Sequence, residues 1–427
     1  MSTLSGPSQE YAAWIGLDWA DRNHAVSLRA EGSQELESFP LEQKPEALSA
    51  WITQLRQRFG GRPVALALEQ SRGPLLFALM HIEFIVLYPV NPKTLARYRE
   101  SLNPSGSKSD PGDAALLREL IEKHREHFVP WKPEDPDTRQ IQLLSEYRRK
   151  LVNTRVRLTN QITDLLKNYY PQALALAGDL DSPMACDFLL RWPSLHKLQQ
   201  TKPLQLEKFY LRHNSRSPER IQQRLTLFQQ AQPLTTDVAL IESMKRMMLA
   251  LVRQLQTVLD SVGEFDQQIK SLYECHPEHD IFASFPGAGE VLGPRLLAAF
   301  GRDRDKYQKA HQMRNFSGIA PITRQSGKTR MVQARIACPK FLRQTFHEFA
   351  LHSLGRCSWA QQLYLRLKDK GVAHQAAVRV VAYKWIAILF ICWKNHTTYD
   401  EQHYLLAKQR RCLPRLNQKL ELSVQKL

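Results

Sequence analysis

Four carboxylates stand where the chain is expected to turn. Asp18 ends the apolar run AAWIGLD, and Glu69 ends the run VALALE. Asp110 and Asp113 lie three residues apart in SDPGDAALLREL, so both can face one way at the start of a helix. Carboxylates that converge repel one another strongly unless cations stand between them. Oxygen-only ligation suits Mg2+ or Mn2+. Two such ions can stabilise both the attacking and the leaving oxygen of a phosphoryl transfer. Each acid also has a plainer reading. Asp18 can cap a turn, Glu69 can be a solvated strand end, and Asp110 and Asp113 can be acids favoured by the dipole at a helix N-terminus. Their joint placement is what favours a metal.

A second group of residues carries different chemistry. Ser326 lies between Arg324 and Lys328 in the polar loop Thr323–Lys328, with Gly327 beside it, and Arg330 and Arg335 follow on what reads as a strand or hairpin arm. A hydroxyl flanked by cations can approach a phosphodiester, and the cations can stabilise charge that builds on phosphorus. By itself a loop serine is usually no more than that. Ser317 in FSGIAP is the rival, although its apolar neighbours suit a helix cap better. Upstream, IFASFPGAGEVLGPRLLAAF from Ile281 to Phe300 reads as a glycine-punctuated turn between helices. Gly287 and Gly289 would leave backbone amides open to a phosphate, in the manner of a helix-hairpin-helix. The alternative is a tight turn with no ligand. From Asp280 to Lys340 eleven Lys/Arg stand against four Asp/Glu, which favours the phosphate.

The elements that must position these groups follow in order. The strand ending at Asp18 is followed by strand-like runs at His24–Ala30 and Glu35–Leu41, joined by the turn EGSQ. Pro45–Phe59 is an amphipathic helix that Gly60-Gly61 ends. Further strands are expected at Val64–Glu69 and Glu83–Val90, with short helices from Pro74 and after Asn91-Pro92. Ser109 or Asp110 caps a helix that Pro111 opens. A long helix begins near Asp137 and stops at Pro171. Its apolar positions, from Leu144 to Tyr169, keep a three/four spacing, and its other face carries Arg148, Arg149, Lys150, Arg155 and Arg157. An irregular section with a few short helices runs to about Ser217. From Ile241 to Leu272 the apolar residues alternate steps of three and four without a break, a heptad seam roughly 48 Å long. Such a strip needs a partner, either the first long helix or the same helix in another subunit. Helices from Phe341 wrap the serine segment, and from Lys408 a basic arm carries six Lys/Arg against one acid.

The chain has 427 residues, which points to two or three domains. Its net charge of +17 suggests a polyanionic partner, with nucleic acid ahead of an anionic membrane. The six cysteines are scattered with no CxxC pair, which argues against a zinc site and a disulfide scaffold. The first residues show no signal-peptide pattern. The apolar run Val380–Trp393 is interrupted by Lys384 and reads as a buried helix. A soluble cytoplasmic protein without a membrane partner is expected.

These residues resemble a known family. GLDWAD, LEQSRGPL and KSDPGDAALL resemble the DEDD motifs of bacterial insertion-sequence transposases with a RuvC-like N-terminal domain. FPGAGEVLGPRLLAAFG followed by FSGIAPITRQSGKTR resembles their C-terminal domain. This is the insertion sequence 110 family, which is also similar to the Piv DNA invertases. The two blocks cover about residues 12–125 and 276–395, in the same order. The resemblance implies an α/β N-terminal domain of RNase H/RuvC-like type, a long helical coiled-coil middle, and a mainly α C-terminal domain with a helix-hairpin-helix. The corresponding ranges are 1–130, 131–275 and 276–407, with a basic tail at 408–427. It implies a site-specific DNA recombinase in which Asp18, Glu69, Asp110 and Asp113 bind Mg2+ or Mn2+. Ser326 would form a covalent phosphoserine link to DNA. It further implies donor and target DNA, a structured guide RNA from the element, and a dimer or tetramer joined through the coiled coil. A nucleoid-associated place in a bacterial cytoplasm follows.

The chain departs from the family where Ala337-Cys338-Pro339-Lys340 replaces a Lys/Gly-rich turn before Leu342-Arg343. Its middle section is also longer than in compact members. Two other readings compete. One is a RuvC-like endonuclease without covalent serine chemistry. The other is a non-catalytic nucleic-acid-binding scaffold, against which the presence of all four acids speaks. An actin-like ATPase would want glycine soon after Asp18, where Trp19-Ala20-Asp21-Arg22 stands.

Overall fold

The first strands are buried along most of their length, and the N-terminal part is built around the sheet they form. The structure is a computed structural model, and it describes residues 10–69, 73–102, 107–327 and 329–407. The chain divides into two compact units, residues 1–133 and 134–427. In the first unit the elements run β1 (Ala13–Asp18), β2 (Asn23–Ala30), β3 (Glu37–Glu42), α1 (Pro45–Phe59), β4 (Val64–Leu68), α2 (Pro74–Leu79), β5 (Ile85–Pro89), α3 (Pro92–Leu102) and α4 (Asp110–Lys123). The five strands form one sheet in the order β3-β2-β1-β4-β5. β1, β2 and β3 pair antiparallel, while β1, β4 and β5 pair parallel. This mixed α/β architecture is compatible with the RuvC-like expectation.

The period of two divides each strand between two layers. Ala13, Ile15 and Leu17 pack with Trp51, Leu55 and Phe59 of α1 and with Leu75, Leu76 and Leu79 of α2. On the opposite face Ala65, Ala67 and Tyr88 pack with Leu95 of α3 and with Leu117, Leu120 and Ile121 of α4. Helix α1 begins with Pro45 and ends on Gly60 at φ 59°, a left-handed cap that glycine adopts at little cost.

The second unit is helical apart from one hairpin. Its two longest helices are α5 (Pro136–Tyr169) and α11 (Val238–Glu274). Asp135 caps α5, and its carboxylate accepts from both the backbone and the hydroxyl of Thr138. That hydroxyl also bonds the buried His276, just beyond the C-terminus of α11, at 3.0 Å. Arg148 of α5 pairs with Asp266 of α11. The α11 seam is therefore covered within the chain. Met248, Leu251 and Leu255 are buried in the same core as Leu158, Ile162 and Leu166 of α5. The seam needs no second chain to leave water.

The section expected to be irregular with a few short helices forms four of them, α6 (Gln172–Leu176), α7 (Pro183–Arg191), α8 (Leu195–Gln199) and α9 (Pro203–Arg212), and α10 (Pro218–Gln230) follows. They share a core of Tyr170, Phe188, Trp192, Phe209 and Tyr210 with the adjoining parts of α5 and α11. Ser182, Ser194 and Ser217 cap three of them.

The remaining elements are α12 (His279–Ala283), α13 (Gly289–Phe300), α14 (Ala310–Phe316), β6 (Ile322–Ser326), β7 (Thr329–Gln333), α15 (Lys340–Ser353), α16 (Ser358–Asp369) and α17 (His374–Lys394). α13 is buried all round from Leu292 to Phe300. Of the described helices, α17 alone is long and apolar enough to cross a membrane. Its apolar residues serve a protein core, since Trp385 and Trp393 are fully buried among the aromatic side chains of α13 and α15. The expected basic arm from Lys408 lies outside the described residues.

Candidate active site

β1 and β4 run side by side in parallel, with Leu17 beside Leu68. Asp18 and the residue after β4, Glu69, therefore leave the carboxyl ends of adjacent strands on the face that also carries Gly16 and Ala67. Open α/β sheets bind ligands at such ends. Helix α4 lies on that face of the sheet, against β1, β2 and β4. It can do so because of Gly16. A Cβ there would stand 1.9 Å from the carbonyl oxygen of Ala114 and 2.5 Å from the amide nitrogen of Arg118. Ala114 follows Asp113, so this backbone contact fixes where Asp113 meets the strand ends.

The first turn of α4 is well capped. The Ser109 hydroxyl accepts from the Gly112 amide at 3.3 Å, and the Asp113 amide donates to the Ser109 carbonyl. Asp113 is 1% exposed and Asp18 8%, whereas Asp110 lies at the surface and Glu69 is half-buried. Further along α4, the buried Arg118 donates to the Ser27 hydroxyl of β2 at 3.3 Å. Arg118 and Arg29 both pair with Glu122. These bonds hold α4 to the sheet beyond the acidic end.

The electrostatics show the acids to be gathered. Burial first, then the charges of Asp113, Glu69 and Asp110, push the Asp18 carboxyl up to about 6, and Lys108 opposes them. Coulomb effects weaken with distance, so three carboxylates acting on a fourth mark one cluster. Asp113 has its own cations. Arg99 of α3 donates to its Oδ1 through Nε at 2.8 Å and approaches the same oxygen through Nη2 at 2.6 Å. Lys108 Nζ stands 4.0 Å from Oδ2. Among the described residues that buried Oδ2 accepts no hydrogen bond. Also among them, no three Asp, Glu, His or Cys side chains stand close enough to enclose an ion. The acids are gathered but splayed, as like charges must be. An all-oxygen donor set with a buried oxygen lacking a donor fits a hard divalent cation.

The serine segment was expected as a polar loop leading into a strand or hairpin arm, and both parts pair as one hairpin. Ser326 closes β6 and pairs with Thr329 of β7. Gly327 takes φ 55° there, the left-handed conformation that tight hairpin turns demand. Arg324 shares the face of Ser326, two residues along the strand. Arg330 pairs with Gln325 and so lies on the other face. Lys328 lies outside the described residues. The hairpin strands are exposed along their length except for Ile322, so Ser326 is open to solvent. Ser317 is fully buried, and its hydroxyl donates to the Arg314 carbonyl at 3.4 Å, which suits a structural role at the end of α14.

The glycines before α13 do two different things. Gly287, at φ 89°, packs against the end of α15, where a Cβ would stand 3.0 Å from the His352 backbone. Its missing side chain serves helix packing. Gly289, at φ 53°, has open space around it. The helix before them, α12, has five residues, and this arrangement does not establish a helix-hairpin-helix. Three residues at the acidic site escape sequence reasoning. Gly16 carries a usable signal, a lone glycine inside a strand pattern that marks a close backbone approach. Arg99 and Lys108 carry none, because nothing local distinguishes them from Arg97 or Lys93.

Comparison with known proteins matches this arrangement. Residues 15–171 match a transposase profile of the DEDD type named for IS110, and residues 279–366 match the profile described as "Transposase IS116/IS110/IS902 family". The first range holds all four acids and the second holds Ser326. A protein of Streptomyces coelicolor named as the transposase of the IS117 mini-circle is 27% identical over 396 residues, 91% of this chain and 95% of that one. The 43.6 kDa protein of insertion element IS110 from the same species is 23% identical over 401 residues, 92% and 97% of the two chains. The pilin gene-inverting protein of Moraxella bovis is 29% identical over 150 residues, 34% of this chain and 46% of its own. Both matched profiles come from one group of transposases and stand in this chain in order, so the chain belongs to the IS110 family of transposases.

Proposed function

We propose that this transposase cuts and rejoins DNA through a phosphoserine intermediate on Ser326, with Asp18, Glu69, Asp110 and Asp113 as ligands of Mg2+ or Mn2+. The observation that carries the metal part is the Asp18 carboxyl, raised to about 6 by burial and three neighbouring carboxylates. The donorless Oδ2 of Asp113 supports it. A divalent ion bound there would supply positive charge to the phosphoryl group in its transition state. The chain's own residues do the rest. The ends of β1 and β4 fix Asp18 and Glu69 on rigid strands, and the capped turn of α4 fixes Asp110 and Asp113.

At the hairpin, the Ser326 hydroxyl oxygen bonds to phosphorus as the bond from phosphorus to a sugar oxygen breaks. The hydroxyl loses its proton and the departing sugar oxygen gains one. The ester is conserved as phosphoserine, so a sugar hydroxyl of another strand can reverse the step without an energy source. Arg324, on the same strand face, can meet the phosphate charge. The exposure of the hairpin supports this role, because a two-stranded ribbon with no buried face is marginally stable alone.

Donor and target DNA fit the net charge of +17. A structured guide RNA is part of the proposal and is tested by sequencing RNA that co-purifies with the chain. A dimer or tetramer is also part of it, and its contacts must use surfaces other than the α11 seam already covered by α5. The chemistry is tested by recombination and strand cleavage assays. Ser326→Ala and Asp18→Asn should each abolish recombination while the protein stays folded. Cutting by Ser326→Ala at the wild-type rate would instead mark a metal-dependent endonuclease that uses water.

A further inference from the structure

We infer that Arg99 is the positioning residue of the acidic site, holding Oδ1 of Asp113 so that Oδ2 alone is presented to a divalent cation. The inference rests on the metal reading of the four acids. A guanidinium beside a carboxylate commonly forks across both oxygens. Here Nε and Nη2 both converge on Oδ1, at 2.8 and 2.6 Å. The other oxygen is left buried and without a donor among the described residues. Leaving a buried carboxylate oxygen unpaired costs free energy, and a cation at that oxygen removes the cost.

Arg99 is placed to act as a fixed clamp. Its side chain is 18% exposed. It lies one turn after Leu95, whose burial in the sheet's second layer anchors α3, and α3 packs on α4. Lys108 contrasts with it. Its side chain is 63% exposed, and it stands 4.0 Å from Oδ2, the oxygen left to the metal. Arg99 therefore orients Asp113, while Lys108 is only a competing charge that an arriving ion displaces.

These roles predict effects of opposite sign on metal binding, which can be read without any DNA. Mn2+ binding to the full-length chain is measured by calorimetry for the wild type, Arg99→Gln, Arg99→Lys, Lys108→Ala and Asp113→Asn, with circular dichroism to verify folding. Partners that orient a metal ligand are typically worth about 10–100-fold in affinity. Arg99→Gln should weaken Mn2+ binding by that amount, and Arg99→Lys should recover part of it. Lys108→Ala should bind as tightly as the wild type or more so. Adding Arg99→Gln to Asp113→Asn should cost nothing further, because Arg99 acts through Asp113.

The inference is overturned if Arg99→Gln binds Mn2+ as well as the wild type or better, because loss of charge alone would do that. If Arg99→Gln does not fold, Arg99→Lys decides, and wild-type affinity there overturns the inference. Mn2+ binding that Asp113→Asn leaves unchanged defeats the metal reading itself, a failure distinct from that of Arg99.

Discussion

Asp18 is costly to ionise in the folded chain. Its carboxyl stands at about 6 instead of 3.8 because it is buried and faces three like charges. Between those values the folded chain keeps a proton that the unfolded chain has released. Stability therefore falls as pH rises through that window, and above about 6 the deficit stays constant. The full displacement is worth at most about 3 kcal/mol, and water at the strand ends reduces it to about 1–2 kcal/mol. Without metal, Asp18→Asn should thus be more stable than the wild type by about 1–2 kcal/mol near pH 7.5. Urea denaturation across pH should show the gain shrinking as pH falls below about 6 and gone near pH 4. Gly16 sets the opposite kind of limit. Gly16→Ala would put a Cβ 1.9 Å from a backbone oxygen of α4. It should cost about 3 kcal/mol or more and weaken Mn2+ binding by moving Asp113. A lower urea midpoint and a weaker Mn2+ isotherm would confirm it. At this scale the acids were legible in the sequence because each ends an apolar run or opens a helix. Arg99 was not, since its partner lies on another helix and no local pattern records that pairing.

Elements were legible where their periodicity was strong. Pro45–Phe59 has those bounds in sequence and structure alike, because a proline opens the helix and two glycines close it. The α11 seam was also plain, but its partner was not. Heptad spacing shows that a face must be covered and leaves open which helix covers it. The structure gives that place to α5 of the same chain. Leu255, 1% exposed, should accordingly cost about 2–5 kcal/mol when cut to Ala. The variant should lower the thermal midpoint by the same amount at every protein concentration, whereas a seam joining two chains would make that loss depend on concentration. Of the short helices, α7 and α9 were legible close to their bounds, whereas α6 and α8, with five residues each, have too few turns to show a period. Their serine caps and N-terminal prolines are the signal that was present. The serine hairpin was hard to read for a related reason. With no buried face, β6 shows no apolar alternation and reads as a loop, while the arm with Arg330 reads as a strand, and Gly327 at the turn is the cue to their pairing.

The whole molecule joins a mixed α/β unit bearing the acids to a helical unit bearing the serine, on one strongly basic chain. That order of parts was legible because two separate motif blocks stood in sequence at their family spacing. What each block positions in space came only with the fold, above all the close seat of α4 on Gly16. Both sets of residues are proposed to serve one phosphodiester exchange. The most direct test is to incubate the full-length protein with substrate DNA and Mg2+, trap protein–DNA adducts in denaturant, and map the linkage by mass spectrometry. The expected result is a nucleotide on the peptide containing Ser326, lost with Ser326→Ala, with Asp18→Asn and with chelation of the metal. An adduct that persists in Ser326→Ala, or that forms at the wild-type level in Asp18→Asn, would contradict it.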